Sequence, residues 1–454
     1  MKIITGGMVF YNGKLENLDI LIEKESIIGI GKFTLEGKEI IDATGLIILP
    51  GGIDMHVHFN DPGFTNREEF DTGTKAAISS GITTIVDMPC TSIPQIKNKK
   101  SLFIKLDSIK NKAFCDYALY GGITGDMVRE SNFNDLLELY DEGVVGFKIY
   151  GYSSAPYYEH LTYGEMYDLF SFLKNRDILF TIHAEDFSII DHFMEKVKKD
   201  KNLKGGEAWI KARPYLAEPI SIWNTSRLIK DTNLRLHIAH ISTSEGVRIV
   251  KERKEQGVKI SCEVTPNHLL LTQDDLISNP KLVKTSPPVR CYENKELLWK
   301  YLENKIIDCV ASDHFSGEWK SEKDKDDIFE IASGISGIDT IFPIIFSEGV
   351  VKKRISIKRF VEVMSENPAK ISNISKNKGG IEVGKDADLV FIDLKRKWNV
   401  KGNLFYSKGK YTPFENFEIF GKVIKTILRG EVVFDESMGF LIEGGYGKWI
   451  KREY

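Results

Sequence analysis

Histidines in this chain recur in pairs or beside an acid at the ends of apolar runs: His56-Val57-His58, His183-Ala184-Glu185, His237-Ile238-Ala239-His240 and Ser312-Asp313-His314. On an extended strand, residues two apart point to the same side, so His56 and His58 could chelate one cation. Taken singly, each histidine is as readily a hydrogen-bonded core residue, and Asp313 could be only a helix cap. Lys148, in VVGFKIYG, follows an almost wholly apolar stretch where a charged amine is expensive to bury. Its chain could snorkel outward or meet an internal carboxylate. Alternatively, burial lowers its pKa and leaves a neutral amine that takes up CO₂ as a carbamate, whose two oxygens can bridge two metal ions. Taken together, these residues share one position, the end of a β-rich run, and that coincidence favours a metal centre.

The elements that must position them alternate. β-rich runs (LIILPGGIDMHVH, ITTIVDMP, FCDYALYGG, GVVGFKIYG, ILFTIHAED, LRLHIAHIS, KISCEVTP and IDCVASDH) are separated by helical patterns. Most gaps are roughly thirty residues, one βα unit each, and eight units over roughly 260 residues predict an α/β fold of the (β/α)₈ TIM-barrel type. Reactive groups then gather at the C-terminal mouth. The longest gap, between His183 and LRLHIAHIS, requires an inserted loop or extra helix. A doubly wound sheet is the rival, but no glycine-rich phosphate fingerprint follows the first strand. The opening residues and the segments GGIEVGKDADLVFIDL and KVIKTILRGEVVFDE read as short strands. Residues 1–50 and 375–454 are therefore expected to form one small β-sandwich domain beside a barrel of residues 51–374.

Composition narrows the classes further. The chain has 454 residues, 42% of them hydrophobic, enough for a large core. Its net charge of −3 and the lack of a long basic block argue against nucleic acid. No secretory stretch or membrane span is evident, so a cytoplasmic location without membrane attachment is expected. Five scattered cysteines, never in a C-x-x-C pair, fit reduced thiols and leave any metal to other ligands.

Over nearly its whole length the sequence resembles the cyclic amidohydrolases that include dihydroorotase, hydantoinase and allantoinase. The segments that carry the resemblance are PGGIDMHVHFNDPG, GITTIVDMP, VVGFK, HAE, HISTSEG, VTPNHLLLT, SPPVR, ASDH and the closing GxxxGKDADLV. The resemblance implies two divalent metal ions, zinc foremost, with manganese, cobalt or iron also suited to the ligands. His56 and His58 would bind one metal, His183 and His240 the other, carbamylated Lys148 and a hydroxide would bridge them, and Asp313 would complete the first metal's shell. His240 matches the family ligand better than His237. Asp313 would also be catalytic, carrying the proton of the attacking hydroxide to the ring nitrogen. Tyr150 and Tyr152 are candidate donors to the developing oxyanion or packing residues.

Substrate contacts are expected from Asn60, Cys90, Ser286 and His314. Dihydroorotases usually carry arginine and asparagine where this chain has Asn60 and Cys90, so a carboxylate there would lack its guanidinium. The loop HFNDPGFTNREEF and the segments DMPxxSIP and KTSPPVR look like the allantoinase form, which implies hydrolysis of allantoin to allantoate. Dihydroorotase is the alternative, then hydantoinase or dihydropyrimidinase. Thr91 matches the dihydroorotase form, and Arg67 could supply a replacement charge or serve an ordinary loop ion pair. A small cyclic amide is the expected partner, with a homodimer or homotetramer as the assembly. A non-catalytic scaffold or a mononuclear deaminase on the same barrel is disfavoured by the complete ligand set with Lys148.

Overall fold

The computed structural model describes residues 1–453 except 132, 154 and 156. Eight parallel strands form the barrel: β1 (Gly52–Val57), β2 (Ile82–Asp87), β3 (Asp116–Leu119), β4 (Phe147–Tyr150), β5 (Leu179–His183), β6 (Arg235–Ile238), β7 (Ile260–Val264) and β8 (Cys309–Val310). Neighbours in this order pair in parallel, with β3 continued by Gly121–Gly122, which pairs with β4. Closure is made just past β8, where His58 N donates to His314 O at 2.9 Å. Side chains along β1, β2 and β5 are buried throughout, as expected when helices cover the outside and side chains fill the inside.

The long gap between β5 and β6 is filled by three helices, Phe187–Lys199, Gly205–Ala212 and Ala217–Ile229. One expected run divides. LIILPGGIDMHVH is two strands, because Pro50 ends the first, Ile47–Pro50, and the chain then enters β1. Gly51 must be glycine at this crossing, since a Cβ there would lie 2.1 Å from Thr83 Oγ1.

Ile47–Pro50 pairs in parallel with Met8–Tyr11 and antiparallel with Leu389–Asn399, so one seven-stranded sheet draws on both chain ends. A four-stranded sheet of Ser26–Gly31, Asp19–Glu23, Lys2–Thr5 and Glu39–Asp42 faces it across a shared apolar core that includes Ile4, Ile20, Ile48 and Phe391. The last residues do not stay with these sheets. Lys448 O accepts from Tyr117 N at 3.0 Å and Ile450 N donates to Tyr117 O at 2.7 Å, which lays the tail along β3. Among the described residues no helix is long and apolar enough to cross a membrane.

Charge ties the sheets to the floor of the barrel. The Lys378 ammonium bonds Asp116 on β3 at 2.5 Å and Asp388 at 2.8 Å, with Asp386 at 2.9 Å, while Arg429 also reaches Asp116. Lys378 and Asp116 are almost wholly buried, so removing the lysine strands a carboxylate cluster in low dielectric. Lys378→Met should destabilise the protein by about 3–5 kcal/mol, read as a lower thermal midpoint than wild type, with no change in metal content.

Candidate active site

Position along the strands decides which side chains reach the mouth. His56 lies on β1 and His58 one residue past its end. The Nδ1 of His56 is hydrogen bonded to the Glu263 carboxylate on β7, and the second Glu263 oxygen lies 3.1 Å from His237 Nε2. Burial pushes Glu263 up, but the imidazoles of His56 and His237 hold it well below the usual carboxylate range. An ionised Glu263 makes His56 Nδ1 the protonated nitrogen and leaves a lone pair on Nε2. That Nε2 is buried without a hydrogen-bond partner and lies 3.3 Å from Asp313 Oδ1. His58 Nε2 is 3.1 Å from the same oxygen. Although burial acts to raise it, His56 and His58, with Lys148, hold the Asp313 carboxyl at about 2.

The opposite side of the mouth repeats the pattern. His183 ends β5, and its Nε2 is 2.8 Å from Glu185 Oε2. Arg213 pairs with Glu185 and keeps it charged, so His183 presents the Nδ1 lone pair. This Nδ1 lies 3.1 Å from His240 Nε2, while His240 Nδ1 is buried without a partner. Between the two groups stands Lys148 on β4. Its amine is buried with no hydrogen-bond partner, and burial lowers its pKa.

These orphaned atoms test whether metal fits. A lone pair on His56 Nε2 facing a carboxylate oxygen is two acceptors in contact, which is repulsive unless a proton or cation lies between them. The donor atoms of His56, His58 and Asp313 lie within 4.8 Å of one another, the span of one coordination shell. Burial lowers His56, His183 and His240 towards the neutral imidazole that a divalent cation requires. At His58 burial is outweighed by Cys90 and Asp313, which raise it to about 10, so a cation there would have to displace its proton. A lysine whose pKa burial lowers is what carbamate formation requires. The donor set therefore fits divalent metal. His240 and Asp313 also carry positive φ angles of 35° and 50°, in the left-handed region that side chains adopt at some cost, as at many functional sites.

A cavity of about 680 Å³ opens above this cluster, lined by His56, His58, His183, His240 and Asp313 together with Cys90, Tyr150, Tyr152 and Ser286. Cys90 Sγ is 3.2 Å from the Tyr150 hydroxyl, and burial raises that phenol well above its ordinary pKa, so it stays a donor. Two expected substrate contacts are corrected. His314 is buried behind the wall with its ring nitrogens occupied: Nδ1 accepts from Gly337 N at 3.1 Å and Nε2 meets Glu68 at 3.1 Å. Asn60 is likewise buried off the cavity, its amide donating to His58 O at 3.1 Å. Arg67 does line the cavity, but its guanidinium is held by Glu322 and lies 4.7 Å over the Phe64 ring.

Several supporting residues escaped sequence reasoning. Glu263 is one; an acid within the apolar run ISCEV was the available signal. Asp54 is another: it accepts from His56 N at 3.2 Å and Ser312 N at 3.0 Å, joining β1 to the end of β8, and burial raises it to about 7. Lys105 pairs with Asp87 at 2.7 Å and donates to Phe59 O at 3.0 Å, which anchors the chain just beyond His58.

Comparison with known proteins places this geometry in context. The family model described as Amidohydrolase family matches residues 47–433. The allantoinases of Salmonella choleraesuis and Salmonella newport are each 33% identical to the chain over 443 residues, 96% of either partner. Among solved structures, the L-hydantoinase (dihydropyrimidinase) from Arthrobacter aurescens superposes with a TM-score of 0.94 at 31% identity, covering 99% of both chains. The dihydropyrimidinase from Brevibacillus agri gives 0.91 at 28% identity, covering 100% of this chain and 98% of that one.

If Glu263 sets the His56 tautomer, Glu263→Gln should weaken metal binding by roughly 10–100-fold, measured by competition with a chromogenic chelator. Unchanged affinity would show that the carboxylate serves packing alone.

Proposed function

The chain belongs to the amidohydrolase family and is a cyclic amidohydrolase, and from that premise we propose that it opens the hydantoin ring of allantoin to give allantoate. The observation that carries the choice is Arg67. Its guanidinium is bound to Glu322, so at the cavity surface Arg67 is not free to take a ring carboxylate. An uncharged ring suits that surface, and the full-length similarity to allantoinases agrees with it. Hydantoinase activity is the second reading, supported by the likeness to solved hydantoinases, and dihydroorotase the third.

In this proposal His56, His58 and Asp313 would hold one divalent ion, zinc foremost, and His183 and His240 a second, with Lys148 between them as its CO₂-derived carbamate. Bound there, the ions would polarise the ring carbonyl and acidify a water to near neutral pH. Asp313, ionised at working pH, accepts a proton from the attacking water and returns it to the ring nitrogen as the C–N bond breaks. The Tyr150 phenol, kept protonated by burial, donates to the carbonyl oxygen as negative charge develops. Cys90 steadies that phenol, and Ser286, which also lines the cavity, meets the ring. We extend the proposal to a homodimer or homotetramer acting in the cytoplasm, with residues 51–374 as the catalytic unit and 1–50 with most of 375–454 as its companion.

Lys148→Ala should lower kcat at least about 10³-fold on allantoin and release metal, with partial recovery in short carboxylic acids that stand in for the carbamate. Full activity without additive would refute the bridge. In a side-by-side assay of the metal-loaded enzyme, allantoin should be hydrolysed with a higher kcat/KM than dihydroorotate, hydantoin or dihydrouracil. Preference for dihydroorotate would overturn the assignment of an uncharged ring.

A further inference from the structure

One wall of the cavity has no regular secondary structure, yet it is held as firmly as a strand. Residues 329–334 all face the cavity. The main-chain carbonyls along this stretch accept from two buried ammonium groups that come from different parts of the chain. Lys284, two residues before Ser286, donates to Ile328 O at 2.6 Å and to Ile331 O. Lys323, which ends the helical turn Trp319–Lys323, donates to Ala332 O at 2.8 Å and Gly334 O at 2.5 Å. Two reverse bonds complete the clasp: Gly334 N to Lys284 O at 3.0 Å and Ala332 N to Glu322 O at 2.9 Å.

These lysines are unusual. Lys284 is 2% exposed and Lys323 0%. Among the described residues neither ammonium meets a carboxylate within 4 Å, and burial draws both amines down to about 7. A buried cation without a paired counter-ion is costly. Here carbonyl dipoles offset it together with the rings of Trp209 at Lys284 and Tyr411 at Lys323 and the more distant charges of Asp327 and Glu322. Moving the wall outward would strip those carbonyls from both cations, so the segment has a strong reason to stay in place. Lys284 also lies 3.9 Å over the Trp209 ring, whose indole N–H donates to Thr285 O at 2.8 Å, so the aromatic part of the wall is fixed by the same group. Ser333 and Ser286 meet across the wall at 3.0 Å between hydroxyls.

We propose that Lys284 and Lys323 are positioning residues that hold the 328–334 wall against the ring substituent of the substrate, so that the wall sets affinity for the substituent while the histidine cluster sets the rate. This rests on reading the cavity as the cyclic-amide site. A cavity of about 680 Å³ has room for more than a bare ring, and the wall supplies Phe329 and Ser333 to whatever the ring carries.

The test is Lys323→Met, a residue that does not itself line the cavity. Hydrogen exchange across 324–334 is measured with metal content, kcat, and KM for allantoin and for unsubstituted hydantoin, or Ki where a ring is not opened. Exchange should quicken and KM for allantoin rise about tenfold, with kcat and metal within about twofold and the hydantoin value little changed. Faster exchange with an unaltered KM, an equal loss on both rings, or loss of metal would each overturn the proposal. If the wild type prefers another substituted ring, the allantoin reading fails. The lysine role is then judged by the same split between that ring and its unsubstituted parent. Should the methionine variant not fold, Lys323→Arg is read identically, with a smaller KM rise expected and no rise overturning the idea.

Discussion

His56 Nε2 and Asp313 Oδ1 are held 3.3 Å apart, each an acceptor with no proton to share. Two such atoms drift apart unless the scaffold forbids it, and much of the barrel mouth reads as that prohibition. Glu263 fixes the imidazole from behind, and Asp54 bonds the backbone of both His56 and Ser312. The pairing of His58 N with His314 O closes the barrel at the same height. Asp313 accepts a left-handed backbone so that its carboxylate turns inward. Strain and repulsion at this point are the counterpart of affinity for a cation.

A second regularity is that each side of the mouth has its own carboxylate behind an imidazole. Glu263 serves His56 and His237; Glu185 serves His183 and is itself held by Arg213. Such outer partners choose which ring nitrogen carries the proton, and therefore which one faces the centre. The arrangement is rigid because the partners sit on strands or directly after them, whereas the substrate side of the cavity is made of loops. On the function proposed above, ring chemistry and ring selection thereby fall to different kinds of structure.

Much of this was legible in the sequence. Each of the eight β-rich runs contains a barrel strand, and His56, His58, His183, His240 and Asp313 line one cavity with Lys148 on β4 buried beside them, because strand ends in this fold all point there. What escaped was set by tertiary contact. Glu263 reaches His56 from another strand, Asp54 reaches Ser312 far along the chain, and the Arg213 that holds Glu185 follows a distant helix. Spacing along the chain carries no sign of those pairings, although Glu185 itself stands two residues after His183. His314 directly follows Asp313 and Asn60 closely follows His58 in sequence, yet each is held off the cavity, His314 by Glu68 from a distant part of the chain and Asn60 by the nearby His58 O. The split at Pro50 was visible only as a proline and two glycines. Where the tail would go was not visible at all, since Trp449 and Ile450 look like any sheet residues until they meet Tyr117.

The strand Ile47–Pro50 finds one of its two sheet partners in Leu389–Asn399, roughly 340 residues further along. During synthesis at about 5–20 residues per second, that edge stays open for something like 20–70 s while the whole barrel is being made. An unpaired apolar edge is a template for pairing with other chains. The architecture that joins both ends of the polypeptide therefore makes the nascent chain, rather than the finished enzyme, the form most in need of protection from its neighbours.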